Sequence, residues 1–377
     1  MSEPGRTDTI IIGAGPAGLA VGAVLRRRNV PFVMLERSDR IGDSWHRHYE
    51  RLHLHTPKSQ SALPFVPYPR AYPRYPSRAQ FVAYLNDYAH TFALAPELGQ
   101  DVVRCEREGD GWAVETTGGT RHAKHVVVAT GYNRVPRAPS WPGRDTFGGA
   151  IVHSSDYASP ARFRGQRVLV VGFGNSGAEI ALDLCEHGVA CAIAVRGAVN
   201  VIPREVLGVP VTSLAIASSF LPPRVADRMN TLTIRLAVGD LSRYGLTKRR
   251  DGPLTQITES RQIPVIDVGT LAQLARGTLA VRPGLARFEG DDVCFVDGRR
   301  ERYDAVVLAT GFETGLRALF PTEPSALDDE GRPHASRREA LPGLHFCGFD
   351  LVRTGHLREI ARQAVRIGDR IARGAES

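Results

Sequence analysis

Three glycines in the middle of the chain have the spacing that a dinucleotide-binding turn requires. Gly172, Gly174 and Gly177 follow the apolar run 168–171 and precede a helix-period segment, 178–185. In this Gly-x-Gly-x-x-Gly pattern the first glycine permits a sharp turn and the second lets backbone approach a pyrophosphate. The third lets the helix pack on the strand, and the helix N-terminus offers unpaired N–H groups to the phosphates. The segment therefore predicts a dinucleotide site.

The residues around this turn indicate which dinucleotide binds. A second short strand, 192–195, ends beside Arg196, where an NAD site usually has an acidic residue for the ribose 2′-hydroxyl. A guanidinium suits a 2′-phosphate, so Arg196 favours NADPH over NADH. Asn175 and Ser176, at the start of the helix, are expected to hydrogen-bond the nicotinamide half, and Asn175 is the candidate catalytic residue. The alternatives are an ordinary glycine turn and a surface arginine.

The N-terminal segment repeats this fingerprint. An apolar strand, 9–12, leads into the turn at 13–18 and a helix that continues to residue 28. The next strand, 32–35, ends at Glu36, whose carboxylate suits ribose hydroxyls. Two fingerprints of opposite 2′ preference predict two different dinucleotides, FAD at the N-terminal site and NADPH at the internal one; the alternative is two copies of one module without ligand. The residues predicted to bind FAD here are Gly13, Gly15, Pro16, Ala17, Gly18 and Glu36.

Composition excludes several other classes. The 377 residues carry a formal net charge of +8, but the chain lacks dense basic runs interleaved with aromatics, so no nucleic-acid partner is expected. No apolar run approaches the roughly 20 residues of a membrane span, and the N-terminus lacks a signal-peptide pattern. The five cysteines are scattered without metal-ligand spacing, and none precedes Cys105, which removes a dithiol reductase. We expect a cytoplasmic protein with reduced thiols, no metal site and no membrane partner.

A repeated tripeptide indicates how the two sites share the chain. Ala-Thr-Gly follows an apolar strand at residues 129–131 and again at 309–311, which marks where the chain leaves and re-enters one domain. The predicted fold is α/β, with two Rossmann-like dinucleotide-binding domains and the NADPH domain inserted into the FAD domain. Residues 1–158 and 301–377 form the FAD domain, and residues 159–300 form the NADPH domain.

The remaining elements frame these domains. The Pro-, His- and aromatic-rich segment 51–76 is expected to be a loop, either over a cofactor or substrate or packed on the surface. A helix capped by Ser77 covers 77–92, a final strand covers 344–348, and a basic amphipathic helix covers 358–373. The predicted cofactor-binding set is completed by Arg37, Trp45, Val103, Thr130, Gly131, Gly311 and Gly348.

A motif just before the internal fingerprint resembles a known family. Residues 147–157 read F-x-G-x-x-x-H-x-x-x-Y, which looks like the identifying motif of the flavin-containing monooxygenases. The last position is Tyr157 followed by Ala158, whereas Baeyer–Villiger monooxygenases have Trp and Pro there. The resemblance extends over nearly the whole chain and is to the plant YUCCA branch in particular. Its segments are ERSDRIGDSW, RLHLHTPKS, ALPFVPYP, VGFGNSGAEIALDL, VRGAVNVIPRE, YGLTKRRDGPL, PVIDVG and LATGF.

The resemblance implies an activity. The enzyme would pass a hydride from NADPH to FAD, form a flavin hydroperoxide with O₂, and insert one oxygen atom into a small organic substrate. Oxidative decarboxylation of an indole-3-pyruvate-like 2-oxo acid is one expected reaction. N- or S-oxygenation of an amine or sulfide, an NADPH oxidase or flavin reductase that releases H₂O₂, and a non-enzymatic flavoprotein are the alternatives. The expected partners are the substrate, O₂ and a second copy of the chain in a homodimer.

The motif histidine has an expected role, and two other positions depart from the family pattern. His153, the motif histidine, is expected to support domain placement rather than catalysis. Asp43 stands where the family usually has a small residue, and His356 stands where the plant branch tends to have an aliphatic one. Because His356 lies near the expected flavin edge, the resemblance alone does not fix the substrate.

Overall fold

The chain forms two units, each with its own sheet and apolar core. The computed structural model describes residues 6–334 and 339–375. Unit 1 comprises Met1–His46, Thr56–Val135 and Phe312–Ser377, and unit 2 comprises Arg47–His55 and Pro136–Gly311. The chain therefore enters unit 2 from unit 1 and returns. The sequence places the domain boundaries after residues 158 and 300, and both positions fall inside unit 2. The reason is that the strand before the first position, 150–153, and the strand after the second, 305–308, hydrogen-bond into the unit 2 sheet.

Strands flank a helix at both glycine turns, β1-α1-β2 and β8-α4-β9, whereas several later strands follow one another directly. In the described residues the strands are β1 (Arg6–Ile12), β2 (Val33–Leu35), β3 (Val102–Glu108), β4 (Gly111–Thr116), β5 (Gly119–Val128), β6 (Val135–Pro136), β7 (Ala150–His153), β8 (Arg167–Val171), β9 (Ala190–Ala194), β10 (Val201–Pro203), β11 (Glu205–Val206), β12 (Val209–Pro210), β13 (Val265–Asp267), β14 (Leu279–Arg282), β15 (Leu285–Glu289), β16 (Asp292–Phe295), β17 (Arg300–Arg302), β18 (Ala305–Leu308), β19 (Phe312–Glu313) and β20 (Leu344–Phe346).

The helices of the described residues are α1 (Pro16–Arg27), α2 (Asp43–His46), α3 (Arg78–Thr91), α4 (Asn175–Glu186), α5 (Val211–Ala217), α6 (Pro223–Val238), α7 (Pro253–Ser260), α8 (Thr270–Arg276), α9 (Leu316–Leu319) and α10 (His356–Ala375). Both fingerprint helices begin directly after the second glycine. The predicted cap of α3 is confirmed, because the Ser77 hydroxyl accepts the Gln80 N–H and the Gln80 side chain accepts the Ser77 N–H.

The sheet of unit 1 runs in the order β2-β1-β5-β4-β3, with β20 also paired to β5. β1 is parallel to β2 and β5, and β20 is parallel to β5, whereas β3, β4 and β5 form an antiparallel meander. Apolar residues fill both faces of β1 and the end of β5, as in strands covered on both sides. The carboxyl ends of β1, β5 and β20 meet at one edge, where the 13–18 turn begins.

The main sheet of unit 2 is parallel and runs in the order β14-β9-β8-β18-β7. A small antiparallel sheet, β15-β16-β17, shares its core through Phe147, Phe288, Phe295 and Tyr303. In open parallel sheets ligands bind outside the carboxyl ends of the strands. The 172–177 turn and Arg196 both lie at that edge, following β8 and β9.

Candidate functional site

The turn from β1 into α1 presents an open backbone surface. Gly13 has a φ of +106°, and a Cβ there would lie 2.7 Å from the Ala129 carbonyl oxygen. A Cβ on Gly18 would clash with the Gly13 carbonyl oxygen. Gly15, the N-cap of α1, has no side-chain cap, and a Cβ there would meet no atom within 4 Å. Pro16, the first residue of α1, has no N–H group. The free N–H groups at the start of the helix, from Ala17 onward, therefore face a space that suits a pyrophosphate.

Glu36, directly after β2, is held beside this turn by hydrogen bonds. Its Oε2 accepts the Ala14 N–H at 2.7 Å. Its Oε1 accepts the N–H and the hydroxyl of Ser38 at 3.0 and 2.8 Å. These bonds use three of about four acceptor positions on the carboxylate. One position remains for a ribose hydroxyl, and the orientation of the carboxylate is already fixed.

The ends of β5 and β20 complete the edge in unit 1. Thr130 follows β5, and its buried Oγ1 has no hydrogen-bond partner in the described part of the chain. Gly131 is beside it with a φ of +77°. Gly348 follows β20, and a Cβ there would lie 3.1 Å from the Ala17 Cβ, so it lies close to the start of α1. A buried hydroxyl without a hydrogen-bond partner lowers the stability of the fold by about 1–3 kcal/mol. A cofactor bound at this edge would supply that partner.

Trp45, Arg37 and Val103 lie farther from the glycine turn. Trp45 is half-buried and packs edge-on against Phe81, with ring centroids 4.3 Å apart. Arg37 is exposed. Val103 lies on β3 and is 45% exposed. The segment before β3 is bonded to the Glu36 backbone, because the Glu97 carbonyl oxygen accepts the Glu36 N–H and the Gln100 N–H donates to the Glu36 carbonyl oxygen, each at 2.9 Å. Their roles in binding cofactor stay predictions.

The two departures from the family pattern have partners within unit 1. Asp43 is buried, and its Oδ1 accepts the Arg40 Nε–H at 2.9 Å. His356 begins α10, and its Nδ1 lies 3.2 Å from the Asp350 carbonyl oxygen. The His356 ring stands edge-on to Tyr132, at 4.9 Å between centroids, directly after the Thr130-Gly131 pair. His356 thus lies at the same sheet edge as the predicted FAD residues.

The part of the aromatic loop in unit 1 packs on α3. Tyr68 stacks on Tyr84 at 4.0 Å between ring centroids, and the Tyr84 hydroxyl donates to the Val66 carbonyl oxygen. The ammonium group of Lys58 donates to the carbonyl oxygens of Pro69 and Arg70. These contacts agree with the packed alternative for the segment.

The turn from β8 into α4 has the same construction as the turn in unit 1. Gly172 has a φ of +110°, and a Cβ there would clash with the Ala309 carbonyl oxygen. A Cβ on Gly177 would clash with the Gly172 carbonyl oxygen. Gly174, the N-cap of α4, lacks a side-chain cap and would place a Cβ in open space. Each Ala-Thr-Gly segment therefore abuts the first glycine of one fingerprint, a contact that sequence reasoning missed.

Asn175 and Ser176 occupy the first turn of α4, but the Asn175 side chain is directed at β13. Its Oδ1 accepts the Ile266 N–H at 2.7 Å, and its Nδ2 donates to the Pro264 carbonyl oxygen at 3.3 Å. The amide therefore ties the helix N-terminus to a neighbouring strand. This arrangement is that of a positioning residue, and no pattern in the sequence pairs position 175 with 264–266. Ser176 is half-buried.

Arg196 lies just beyond the carboxyl end of β9 and is exposed. Within the described part of the chain its guanidinium has no carboxylate within 4.0 Å. Gly284 is its close neighbour, because a Cβ there would lie 3.4 Å from the Arg196 Cγ. An uncompensated guanidinium at this edge can receive an anionic group without first breaking an ion pair.

The motif residues His153 and Tyr157 make structural contacts within unit 2. His153 Nε2 lies 3.1 Å from the Gly311 carbonyl oxygen, and its Nδ1 accepts the Ser155 N–H at 3.1 Å. Burial lowers the pKa of His153, which keeps the ring neutral in this network. The Tyr157 hydroxyl donates to Asp183 Oδ2 at 2.8 Å, and burial raises the pKa of that carboxyl group. Both contacts hold backbone that carries the α4 fingerprint or its neighbouring Ala-Thr-Gly segment.

Comparisons with known proteins agree with this arrangement. The family model for pyridine nucleotide-disulphide oxidoreductases matches residues 10–206. The indole-3-pyruvate monooxygenase YUCCA1 of Oryza sativa subsp. japonica is 40% identical, over 90% of this chain and 86% of its own length. The indole-3-pyruvate monooxygenase YUCCA6 of Arabidopsis thaliana is 40% identical, over 93% of this chain and 88% of its own length.

A solved structure is similar over the whole chain. The flavin-containing monooxygenase from Stenotrophomonas maltophilia superposes with a TM-score of 0.73 at 25% sequence identity, covering 98% of this chain and 99% of that chain. In the described residues no helix has the length and apolar character needed to cross a membrane.

Proposed function

Because the chain belongs to the flavin-containing monooxygenase family, in its YUCCA branch, we propose that it oxygenates a small 2-oxo acid of the indole-3-pyruvate kind. The chain is a flavoprotein monooxygenase whose cofactors are FAD and NADPH. The proposed substrate rests on the relatives named as indole-3-pyruvate monooxygenases. Oxidative decarboxylation would convert such an acid to the carboxylic acid one carbon shorter, with release of CO₂ and insertion of one oxygen atom from O₂.

One observation carries the proposal of two cofactor sites. The same open glycine turn occurs in both units, with Glu36 after the second strand in unit 1 and Arg196 after the second strand in unit 2. A carboxylate accepts hydrogen bonds from ribose hydroxyls, whereas a guanidinium pairs with a phosphate. This difference supports FAD in unit 1 and NADPH in unit 2.

The residues have distinct tasks under this proposal. Glu36 and the N–H groups at the start of α1 hold the FAD ribose and pyrophosphate, and the Thr130 hydroxyl gains a partner there. Arg196 holds the NADPH 2′-phosphate, and Asn175 fixes the helix N-terminus that faces the NADPH pyrophosphate. The bound cofactors supply the electrons and activate O₂, and the protein contributes orientation and exclusion of water.

The test measures three quantities on the FAD-loaded enzyme. NADPH consumption, H₂O₂ release and product mass are recorded with indole-3-pyruvate under ¹⁸O₂. We expect indole-3-acetate that carries one ¹⁸O atom, with NADPH use that rises on addition of substrate. Phenylpyruvate serves as a second 2-oxo acid, and indole-3-lactate, which lacks the ketone, serves as the matched control and yields no oxygenated product.

Two other outcomes separate the alternatives. Oxygenation of a tertiary amine or a thioether, with no reaction of either 2-oxo acid, would overturn the proposed substrate and leave the monooxygenase assignment intact. NADPH oxidation with stoichiometric H₂O₂ across the whole panel would favour the oxidase, because the oxygen adduct would then decompose without transfer.

A further inference from the structure

Two histidines lie side by side on neighbouring strands of unit 1. His345 on β20 is in register with Val127 of β5, and His125 lies two residues earlier on β5. Residues i and i+2 of a strand share a face, so the two histidines lie on the same side of the sheet. Their ring centroids are 5.6 Å apart.

These rings lack the partners that buried imidazoles normally have. His345 is only 1% exposed, and both of its ring nitrogens are without a hydrogen bond in the described part of the chain. The buried Nδ1 of His125 also lacks one. Leaving a buried ring nitrogen without a partner destabilises the fold. Three unsatisfied nitrogens on one face therefore point to a missing partner.

A carboxylate faces the same space. Glu339 Oε1 lies 3.9 Å from His345 Nε2, and it also accepts the Gly343 N–H. One donor atom from each of His125, Glu339 and His345 lies within 4.8 Å of the other two. Two imidazoles and one carboxylate form a ligand set that zinc accepts, with a solvent molecule as the fourth ligand.

The electrostatic setting keeps the histidines in the form that binds a metal. Burial lowers the pKa of both rings, that of His345 to about 3, so both are neutral at physiological pH. The positive charge of Lys124 also lowers the pKa of His125, and that of Arg370 also lowers the pKa of His345. Both charges disfavour a bound cation. The carboxylates of Glu339 and Asp8 act on His125 in the opposite sense and favour one.

We propose that His125, Glu339 and His345 form a zinc-binding site that joins β5, β20 and the segment before β20. Ligands of a tetrahedral zinc ion stand roughly 3.3 Å apart, given bonds of about 2.0–2.1 Å, so the three side chains must close by a short distance. Glu339 is exposed, and its Oε1 already faces the buried His345 ring.

The position of the site indicates a structural task. His125 precedes the carboxyl end of β5 at Val128, the edge at which the 13–18 turn and Thr130 lie. Zinc here would hold β5 and β20 together in the sheet that supports the predicted FAD-binding residues, because β20 leads directly to Gly348. It would raise stability and would leave the reacting atoms untouched.

The experiment uses the tag-free, FAD-loaded enzyme after treatment with a chelator and desalting. Zinc alone is titrated by calorimetry, metal content is measured after a second desalting step, and thermal unfolding is followed with and without zinc. We expect one zinc per chain and a higher Tm. Glu339→Gln should weaken binding at least about 10-fold, whereas Glu115→Gln, at an exposed position on β4, should not change it.

A second pair of variants separates this site from the cysteines, since Cys185 and Cys191 are close enough to influence one another. His125→Asn should abolish the zinc-dependent rise in Tm, and Cys185→Ser with Cys191→Ser should retain it. X-ray absorption should show only nitrogen and oxygen ligands, near 2.0–2.1 Å rather than the roughly 2.3 Å of sulfur. Absence of stoichiometric zinc, sulfur ligation, or binding unchanged in Glu339→Gln and His125→Asn would each overturn the proposal.

Discussion

Arg196 is the residue whose charge distinguishes the two candidate cofactor sites. Its guanidinium is exposed and has no carboxylate partner in the described residues, so it is not occupied by a structural ion pair. A residue held in such a pair would have to exchange one partner for another on binding phosphate. The specificity for the 2′-phosphate is therefore expected to depend on this one side chain.

The corresponding prediction concerns Arg196→Ala. Loss of a charge-assisted phosphate contact costs roughly 1.5–3 kcal/mol, so the apparent KM for NADPH should rise about 10- to 100-fold while that for NADH stays nearly constant. Steady-state kinetics with both cofactors measures this. Arg276→Ala removes the same charge before β14, at the opposite end of the parallel sheet, and should change neither constant. Equal effects of Arg196→Ala on NADPH and NADH would contradict the assignment.

At the scale of elements, the glycines within one fingerprint turn have different roles. In the α4 turn, Gly177 is needed for packing, because a methyl group there would clash with the Gly172 carbonyl oxygen. Gly174 is not needed for packing, because its φ of −95° suits any residue and a methyl group would enter open space. The open face at Gly174 suits the close approach of a pyrophosphate to the start of α4.

Gly174→Ala should therefore fold with unchanged stability but bind NADPH poorly. A methyl group that displaces the phosphates should raise the apparent KM for NADPH roughly 10- to 100-fold. Gly177→Ala, the matched variant in the same turn, should lose stability whether or not cofactor is present. Thermal unfolding and NADPH kinetics of both variants test the division, and normal NADPH kinetics in a well-folded Gly174→Ala would refute it.

The tie between α4 and β13 gives a second prediction at this scale. Asn175→Asp keeps the acceptor for the Ile266 N–H but places a carboxylate oxygen against the Pro264 carbonyl oxygen, whereas Asn175→Ala removes both bonds. Each lost bond costs about 0.5–1.5 kcal/mol, so urea unfolding should show reduced stability in both variants.

The kinetics of these variants distinguish positioning from stability alone. If the helix N-terminus shifts, the KM for NADPH and the H₂O₂ released per NADPH should both rise, while the rate of flavin reduction at saturating NADPH changes less. Unchanged KM and coupling in a destabilised variant would make Asn175 purely structural.

For the molecule as a whole, the buried Tyr157–Asp183 pair links stability to pH. Burial raises the pKa of Asp183 above its ordinary 3.8, so the folded state favours the protonated carboxyl group more than the unfolded state does. The stabilisation from this preference is present at low pH and is lost as pH rises through the raised pKa. At neutral pH the ionised carboxylate depends on the Tyr157 hydroxyl.

Tyr157→Phe should therefore destabilise the protein by about 1–3 kcal/mol at pH 8 and by less near pH 4, where Asp183 is closer to protonation. Urea unfolding of the FAD-loaded enzyme at a series of pH values measures the difference. Asp183→Asn in the same Tyr157→Phe background has no charge to titrate and should remove the pH dependence of the effect. A loss that is constant from pH 4 to pH 8 would contradict this account.

The sequence by itself determined the repeated part of the molecule. Both fingerprints, the strand-helix-strand units around them and the cap at Ser77 were predicted because each depends on contacts within about 30 residues. Backbone sterics and helix termini act locally, so glycine spacing and apolar periodicity record them. Glu36 and Arg196, the oppositely charged residues that follow the second strand of each fingerprint, could be identified from the sequence for the same reason.

The tertiary structure decided which distant residues contact those local strand-helix-strand units. The strands at 150–153 and 305–308 join the unit 2 sheet, the Asn175 amide bonds to β13, and His125 comes to lie beside His345. These contacts join residues far apart in the chain, and many registers satisfy the same apolar pattern until the sheet is assembled. Burial, and with it each pKa shift and each unpartnered nitrogen, exists only after that assembly.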